Sequence, residues 1–582
     1  MKKLGKVVSL ALRLALGTIT VVGPLTAATT LAGCADENDP KTWVKRLDDP
    51  AQRATAVERL GNFYEDAYTK ADKKRDNPEL KALVDTMIEP MTTTYTKGGL
   101  DEKTRKLLIK ELGDFRDPRT GPALAKAFNE YEAGKSDDDV QYASNAVTGI
   151  YKAGGTVDQA VIDALWNCFT KFAPTKSPSI KAVQALAPAV LAVKSPSYAA
   201  KAVEKLGATV ILDEKGGVND QLDFWQLISV QLLGELKFGP AARALVTVLM
   251  TPNKLKLASP AKTALLRIPK ESVPLMAGAL NGTDPDLAKL QADFGPEKGY
   301  VRILADILSY ASTNAAKDAM LAAIPALDND TNRAAVAQML VLFPSDAKLV
   351  DAFKNLYGKL PPIADKGGGD DTGRERASLL QVGSEFYDAS MVPWLLKEAG
   401  GAKGDNVILA QLGAIQAGTK LMQPDQKKAV GDALAALEKQ SLAPVEKKGV
   451  ESLRSNFTMA SEVLDKCQKD VGCYLTALDT PVAASPEGAN WRHIKAAAMC
   501  GMLGNEATRK ALVDKLPKIT NPGARLAASV AIDHLTPAGD KATADALDKI
   551  VDGDKEKNNA DVLKGDDALV KVALRLRARA GQ

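Results

Sequence analysis

The residue types that most often do chemistry are present in this chain, but their spacing fits no reaction. Gly134-Lys135-Ser136 has the tail of a phosphate-binding loop, yet position 129 holds Asn where that loop needs Gly, and no strand-like run precedes it. Ser345-Asp346-Ala347-Lys348 fits the Ser-x-x-Lys of one serine hydrolase class without its companion motifs, and reads as a helix start after Pro344. Asp328, Asp330 and Asn332 open like a calcium loop, but Arg333 stands where the turn needs Gly and Met339 where it needs the closing Glu, so they read as a helix-capping cluster. The chain's 2 His, His493 and His534, share no ligand spacing with any Cys; each is predicted within a helix as a satisfied surface or groove residue. No carboxylate pair stands out as acid and base. No catalytic residue, metal site, cofactor or small-molecule substrate is therefore predicted, and the chain is not expected to be an enzyme.

Cysteine is the remaining reactive type, with 5 in the chain. Lys2, Lys3, Lys6 and Arg13 form a basic start, Leu14 to Gly33 is apolar or small, and no acidic residue occurs before Asp36. That is a secretory signal pattern. It ends in Leu31-Ala32-Gly33-Cys34, which resembles the lipobox of bacterial lipoproteins. The resemblance implies that residues 1–33 are a lipoprotein signal peptide, that Cys34 is lipidated and becomes the new N-terminus, and that the protein is lipid-anchored in the bacterial cell envelope. In that sorting logic Ala35 after the Cys points to the outer membrane, facing the periplasm. An uncleaved anchor, an ordinary signal cut near Ala27-Ala28, or a misread start are the competing readings. No later apolar run of about 18 residues lacks charges.

Beyond the inner membrane thiols are oxidised, so Cys467 and Cys473, six residues apart across a predicted helix-to-helix turn, are candidates for a disulfide. Two separate buried thiols, or a pairing of one of them with Cys500, remain open, and Cys168 beside Phe169 reads as an unpaired core residue. The formal charge of +4 belongs entirely to the four basic residues before Cys34: without them 72 basic residues, 76 less 4, face 72 acidic ones. A balanced chain offers no electrostatic reason to bind nucleic acid.

The elements that must carry these residues are helices. Ile162, Leu165, Trp166 and Phe169 fall on one helix face, as do Val140, Ala143, Val147 and Ile150. Leu222 to Leu236 is apolar nearly all round and is expected to be buried between neighbours. Trp43, Trp166, Trp225, Trp394 and Trp491 all lie on apolar helix faces, which makes them core residues by default and partner anchors where exposed. A pattern recurs: Asp49-Pro50, Arg53, Ala56, Leu60-Gly61; then Asp101, Arg105, Leu112-Gly113; then Asp370, Arg374, Ala377; then Asn521, Arg525, Ala528. Asp or Asn caps a helix start, Pro suits the first helical position, Ala permits close helix approach, and Gly after Leu is expected as a left-handed cap ending the first helix.

Asp-Pro-x-x-Arg-x-x-Ala-x-x-x-Leu-Gly at 49–61 and Leu-Gly-Asp-Phe-Arg-Asp-Pro-Arg-Thr-Gly-Pro-Ala-Leu at 112–124 resemble HEAT repeats of the phycobilisome-lyase type. With the lipobox, the chain is similar to HEAT-repeat lipoproteins of myxobacteria. The resemblance implies an all-α fold: an α-solenoid of stacked antiparallel helix pairs, HEAT and armadillo-like, each pair packing only on its neighbours. At about 40–47 residues per unit the chain after Gly33 holds about a dozen pairs. N-terminal repeats are expected over 34–358, a Pro/Gly-rich loop or hinge over 359–373, and C-terminal repeats over 374–582 ending in a capping helix, where Arg575, Arg577 and Arg579 suit the negative helix end. Lesser breaks fall at 212–219, 283–300 and 480–490. The function expected from anchor plus architecture is a non-catalytic envelope scaffold that binds a protein or peptide partner through its solenoid surface. A structural envelope component without one tight partner is the alternative, and a lyase acting on a chromophore-bearing protein is a more distant one.

Overall fold

The computed structural model describes residues 36–177, 179–210, 220–362, 374–401, 407–479, 490–557 and 560–581. These contain 29 α-helices joined by short turns, and no strand. Cys34, the break at 212–219 and most of the breaks at 359–373 and 480–490 lie outside the described residues. The chain divides into two compact units, the first ending at Leu112 and the second beginning at Gly113.

In the first unit, helices Pro40–Arg46, Arg53–Lys70 and Pro78–Lys97 pack against one another. Asp39 and Asn77 cap the first and third, each followed by Pro at the helix start. Trp43 is buried, its indole N–H donating to the Glu37 carbonyl at 2.8 Å, with the Arg46 guanidinium 4.2 Å above its ring. Asp49 caps a turn rather than a helix: it accepts from the Ala51 amide, and the helix starts at Arg53.

In the second unit most helices pack on the next or on the next but one, the contact pattern of stacked antiparallel pairs, so the fold is an all-α solenoid. One row of like-placed helices runs Tyr300–Ala311, Asp330–Leu340, Arg374–Val382, Val407–Leu421, Pro444–Cys467, Trp491–Leu503, Pro522–Leu535, Ala560–Arg579, each against its successor.

That row does not stop at a solvated cap. Helix Ala560–Arg579 turns back onto Tyr300–Ala311 and Ala258–Leu266, so the expectation that pairs touch only their neighbours fails here. The basic residues of the last helix tie it to the two helices before it, and one of them also reaches the closing partner. Arg575 and Arg579 both pair with buried Asp533, at 2.6 and 2.5 Å, and Arg577 pairs with Asp545 and Asp548. The Arg575 guanidinium also lies 5.6 Å from the Tyr310 ring, which takes the Lys262 ammonium at 3.4 Å.

The repeated Leu-Gly is not a left-handed cap. Gly61 lies inside Arg53–Lys70, Gly113 inside Glu102–Phe115, Gly234 inside Leu227–Glu235; Gly383 opens a 3-10 turn and Gly504 has φ −79°. Their role is steric. A Cβ on Gly234 would sit 3.0 Å from Ala264 Cα, and one on Gly113 3.2 Å from the Tyr142 carbonyl oxygen. These are the points where one helix crosses the next. The repeated Arg has an equally local reason: Arg53 Nε donates to the Leu47 carbonyl at 2.7 Å, and Arg525 Nη1 to those of Leu516 and Ile519, both at 3.0 Å. Each satisfies carbonyls left over where the preceding element ends. Arg333, four residues after the cap Asn329, does the same for Leu327 at 3.0 Å, which adds a repeat that its calcium-loop appearance concealed.

Candidate functional site

The residues singled out for chemistry are scattered and individually explained. Gly134 occupies a turn with φ 78°. Asp346 caps helix Ala347–Lys359 and pairs with Lys317. Asp328 pairs with Lys298 and Asp330 with Arg333, while Asn332 donates to the Glu297 carbonyl. His493 is buried rather than a surface or groove residue, while His534 is half-buried and stacks at 5.2 Å on Tyr387, where desolvation pushes its pKa down to about 4. Cys168 and Cys500 are buried free thiols, each pushed up to about 12 chiefly by burial. Cys467 and Cys473 are joined across the turn between Pro444–Cys467 and Val471–Ala477, with Cα atoms 5.3 Å apart. Among the described residues no group of three or more His, Cys, Asp or Glu could hold a metal ion, and no helix is long and apolar enough to cross a membrane.

Around Tyr387 the interior is closely built. Its hydroxyl donates to the Ala527 carbonyl at 2.7 Å, and a Cβ on Gly501 would clash with its ring at 2.6 Å. Helix Trp491–Leu503 is buried on nearly every side, and its Lys495 is fully buried, donating to the carbonyls of Lys420 and Met422 at 3.0 and 2.5 Å. Those carbonyls end helix Val407–Leu421, whose partial negative charge suits an amino group. Burial holds the Lys495 pKa down at about 7. This group caps a helix inside the protein.

A surface groove that spans several repeats runs across Arg374–Val382, Val407–Leu421 and Pro444–Cys467, about 540 Å³ in volume. Its positions repeat from helix to helix. Ala377 and Gln381, Leu412 and Gln416, Ser452 and Asn456 are pairs four residues apart, so each helix presents one amide side chain at the same register. None of the lining residues is charged, and Gln381, Gln416 and Asn456 hold no hydrogen bond to another described residue. Leu409, 53% exposed, adds an apolar contact at one side. The helices come close enough to align these positions because of two glycines. A Cβ on Gly413 would lie 3.4 Å from the Ala377 carbonyl oxygen, and one on Gly449 3.2 Å from Leu412 Cδ1.

This arrangement matches an extended polypeptide. Packed helices are about 8–10 Å apart, and an extended chain advances about 3.3 Å per residue, so successive amides fall about three residues apart along such a chain. Each amide offers both a donor and an acceptor, as backbone N–H and C=O groups require. The groove was not foreseen in the sequence; the signal was the repeated small-residue-plus-amide spacing in three neighbouring helices, which no charged or nucleophilic residue marks.

Fold and groove together place the chain in the class of α-solenoids, built of stacked helix pairs and presenting repeat-aligned surfaces. No family model matches it, and no curated protein matches it. Among solved structures it is similar to importin beta, with 10% identity over 92% of this chain and 84% of that one and a TM-score of 0.28. It is similar also to a model of the full-length AP-3 complex in an intermediate open conformation (10% identity, 92% and 93% covered, TM-score 0.32) and to Kap121p (13% identity, 92% and 66% covered, TM-score 0.25). These likenesses are too distant to bear on function, and the fold assignment stands on the helix contacts of the chain itself.

Proposed function

We propose that the protein is a lipid-anchored scaffold of the bacterial envelope that holds an extended segment of a partner protein in the groove formed by Arg374–Val382, Val407–Leu421 and Pro444–Cys467. The observation that carries the reading is the repeat-aligned row Gln381, Gln416 and Asn456, three uncharged amides with their hydrogen-bonding capacity unspent. Such a row recognises backbone more than side chains, with Leu409 and Leu412 supplying an apolar contact. The anchor rests on the sequence before Ala35: a basic start, an apolar run and Cys34. Acylation there sets the protein on the outer membrane facing the periplasm, and leaves the helical units free to engage a partner in that space.

The test is a display selection of periplasmic peptide fragments on the purified full chain, repeated with Gln416→Leu and Leu409→Glu. Peptides enriched by the wild type and lost by both variants support the reading; peptides retained by both, or no enrichment at all, refute it. Mass spectrometry of Cys34→Ala separates the anchor from the groove: a variant still acylated and still in the membrane fraction removes the anchor while leaving the groove untouched.

A further inference from the structure

Where the row of helices closes on itself, a cavity of about 420 Å³ lies between the start of Asn314–Ala323 and the end of Ala560–Arg579, independent of the groove above. Ser312, Asn314, Lys317, Phe343, Thr536 and Arg579 line it. Two of its buried donors are unspent. Ser312, which ends the preceding helix with φ 52°, is 5% exposed, and its hydroxyl has no hydrogen-bond partner. Arg579 has a side chain 6% exposed; its Nη1 donates to the Asp533 and Thr536 carbonyls at 3.3 and 3.1 Å and its Nη2 to the Asp533 carboxylate at 2.5 Å, but its Nε has no partner. A buried donor left unpaired is destabilising, so two in one cavity call for an acceptor.

The electrostatics name the kind of acceptor. Asp533 is shared by two guanidiniums, those of Arg575 and Arg579, which leaves the cluster with an excess positive charge. Lys317, on the opposite wall, is balanced by Asp346 at 2.6 Å. The ten-residue helix Asn314–Ala323 points its N-terminus into the same corner. Thr313 Oγ1 takes the Ala316 amide at 3.1 Å and its carbonyl the Lys317 amide at 2.9 Å, while the amides of Asn314 and Ala315 have no partner among the described residues. A helix start with free amides favours an anion.

We propose that this cavity binds a small phosphate-bearing anion, held by Arg579, Ser312 and the amides that start helix Asn314–Ala323. Donors outnumber acceptors there, which suits an acceptor-only group with several oxygens. The volume falls within the about 300–1,000 Å³ of small-molecule sites, and Phe343 offers an apolar wall to an organic part beside the phosphate. Because the donors come from two helices far apart in sequence, the bound anion fastens the closing contact.

The experiment is calorimetric titration of the purified full chain with inorganic phosphate and with glycerol 3-phosphate at fixed ionic strength, with chloride as reference. Saturable binding of either is expected. Ser312→Gly keeps the left-handed backbone and deletes the hydroxyl, and Arg579→Gln removes the charge; the loss of a hydrogen bond to a charged group, about 1.5–3 kcal/mol, predicts binding weakened about tenfold or more in each. Hydrogen exchange at 312–318 and 570–579 slowed by the ligand in the wild type is a second readout, independent of whether Arg579→Gln weakens the closure. Tighter glycerol 3-phosphate identifies an organic phosphate, and equal affinities identify free phosphate; both support the site. Absence of saturable binding, or binding unaltered by Ser312→Gly and by Arg579→Gln, overturns it.

Discussion

Lys495 gives the most demanding check on the interior. The side chain is fully buried and donates to the carbonyls of Lys420 and Met422, and burial brings its pKa from the ordinary 10.5 to about 7. The sign follows from proton counting: between about 7 and 10.5 the opened state carries a proton that the closed state lacks, so raising the pH favours the closed state. The slope is about 1.4 kcal/mol per pH unit, and over the whole interval burial of the charge costs about 5 kcal/mol, fully expressed below pH 7 and gone above 10.5. Lys495→Met keeps most of the volume and removes both the proton and the two donated hydrogen bonds, leaving two carbonyls unpaired at about 1–3 kcal/mol each. The wild type should therefore gain on the variant by about 2–3 kcal/mol as the pH goes from 7.5 to 9.5. Hydrogen exchange of peptides spanning 491–503 reads opening of this helix rather than of the whole chain. A gap between the two proteins that stays constant over that pH range would refute the assignment of a largely neutral lysine.

Three further outcomes follow from the packing. Gly234→Ala forces a Cβ to 3.0 Å from Ala264 Cα, a backbone atom that cannot swing aside, and should destabilise the Leu227–Glu235 pairing by about 1–3 kcal/mol in urea titration. Arg525→Met removes the guanidinium that buried Asp554 and Asp566 share, so a loss of about 3–5 kcal/mol is expected, with Asp554→Asn in the same background recovering part of it. Cys467→Ser opens a seven-residue loop and should lower local stability by about 2 kcal/mol; intact-mass mapping without reductant should find the wild-type pair inaccessible to alkylation.

Much of the fold could be read from the sequence because its causes are local. Asn521 capping a helix, Pro522 at its first position and Arg525 reaching back to the carbonyls behind it are all decided within ten residues. The Leu-Gly pairs were visible but misassigned, since a left-handed cap and a helix crossing both select glycine, and only the neighbour at 3.0 Å from Gly234 tells them apart. Closure of the second unit left no trace that a repeat search could follow. Arg575 reads as an ordinary basic helix end until Tyr310, more than 250 residues earlier, is found beneath it. The stacking of His534 on Tyr387 is not legible in the sequence because the two lie almost 150 residues apart. The groove has no mark in the sequence because Gln381, Gln416 and Asn456 carry no charge, and their meaning lies only in a shared register across three helices.

The return of Ala560–Arg579 onto Tyr300–Ala311 changes how this protein must be assembled. An open array can fold progressively as it emerges, since each pair needs only the one before it. Here the middle helices wait for a segment made some 250 residues later, and the entropy of closing that span must be met before the contact is rewarded. Tyr310 thus lacks its Arg575 partner until the last helix arrives, and shortening the chain by that single helix would cost the centre of the array its lock as well as one repeat.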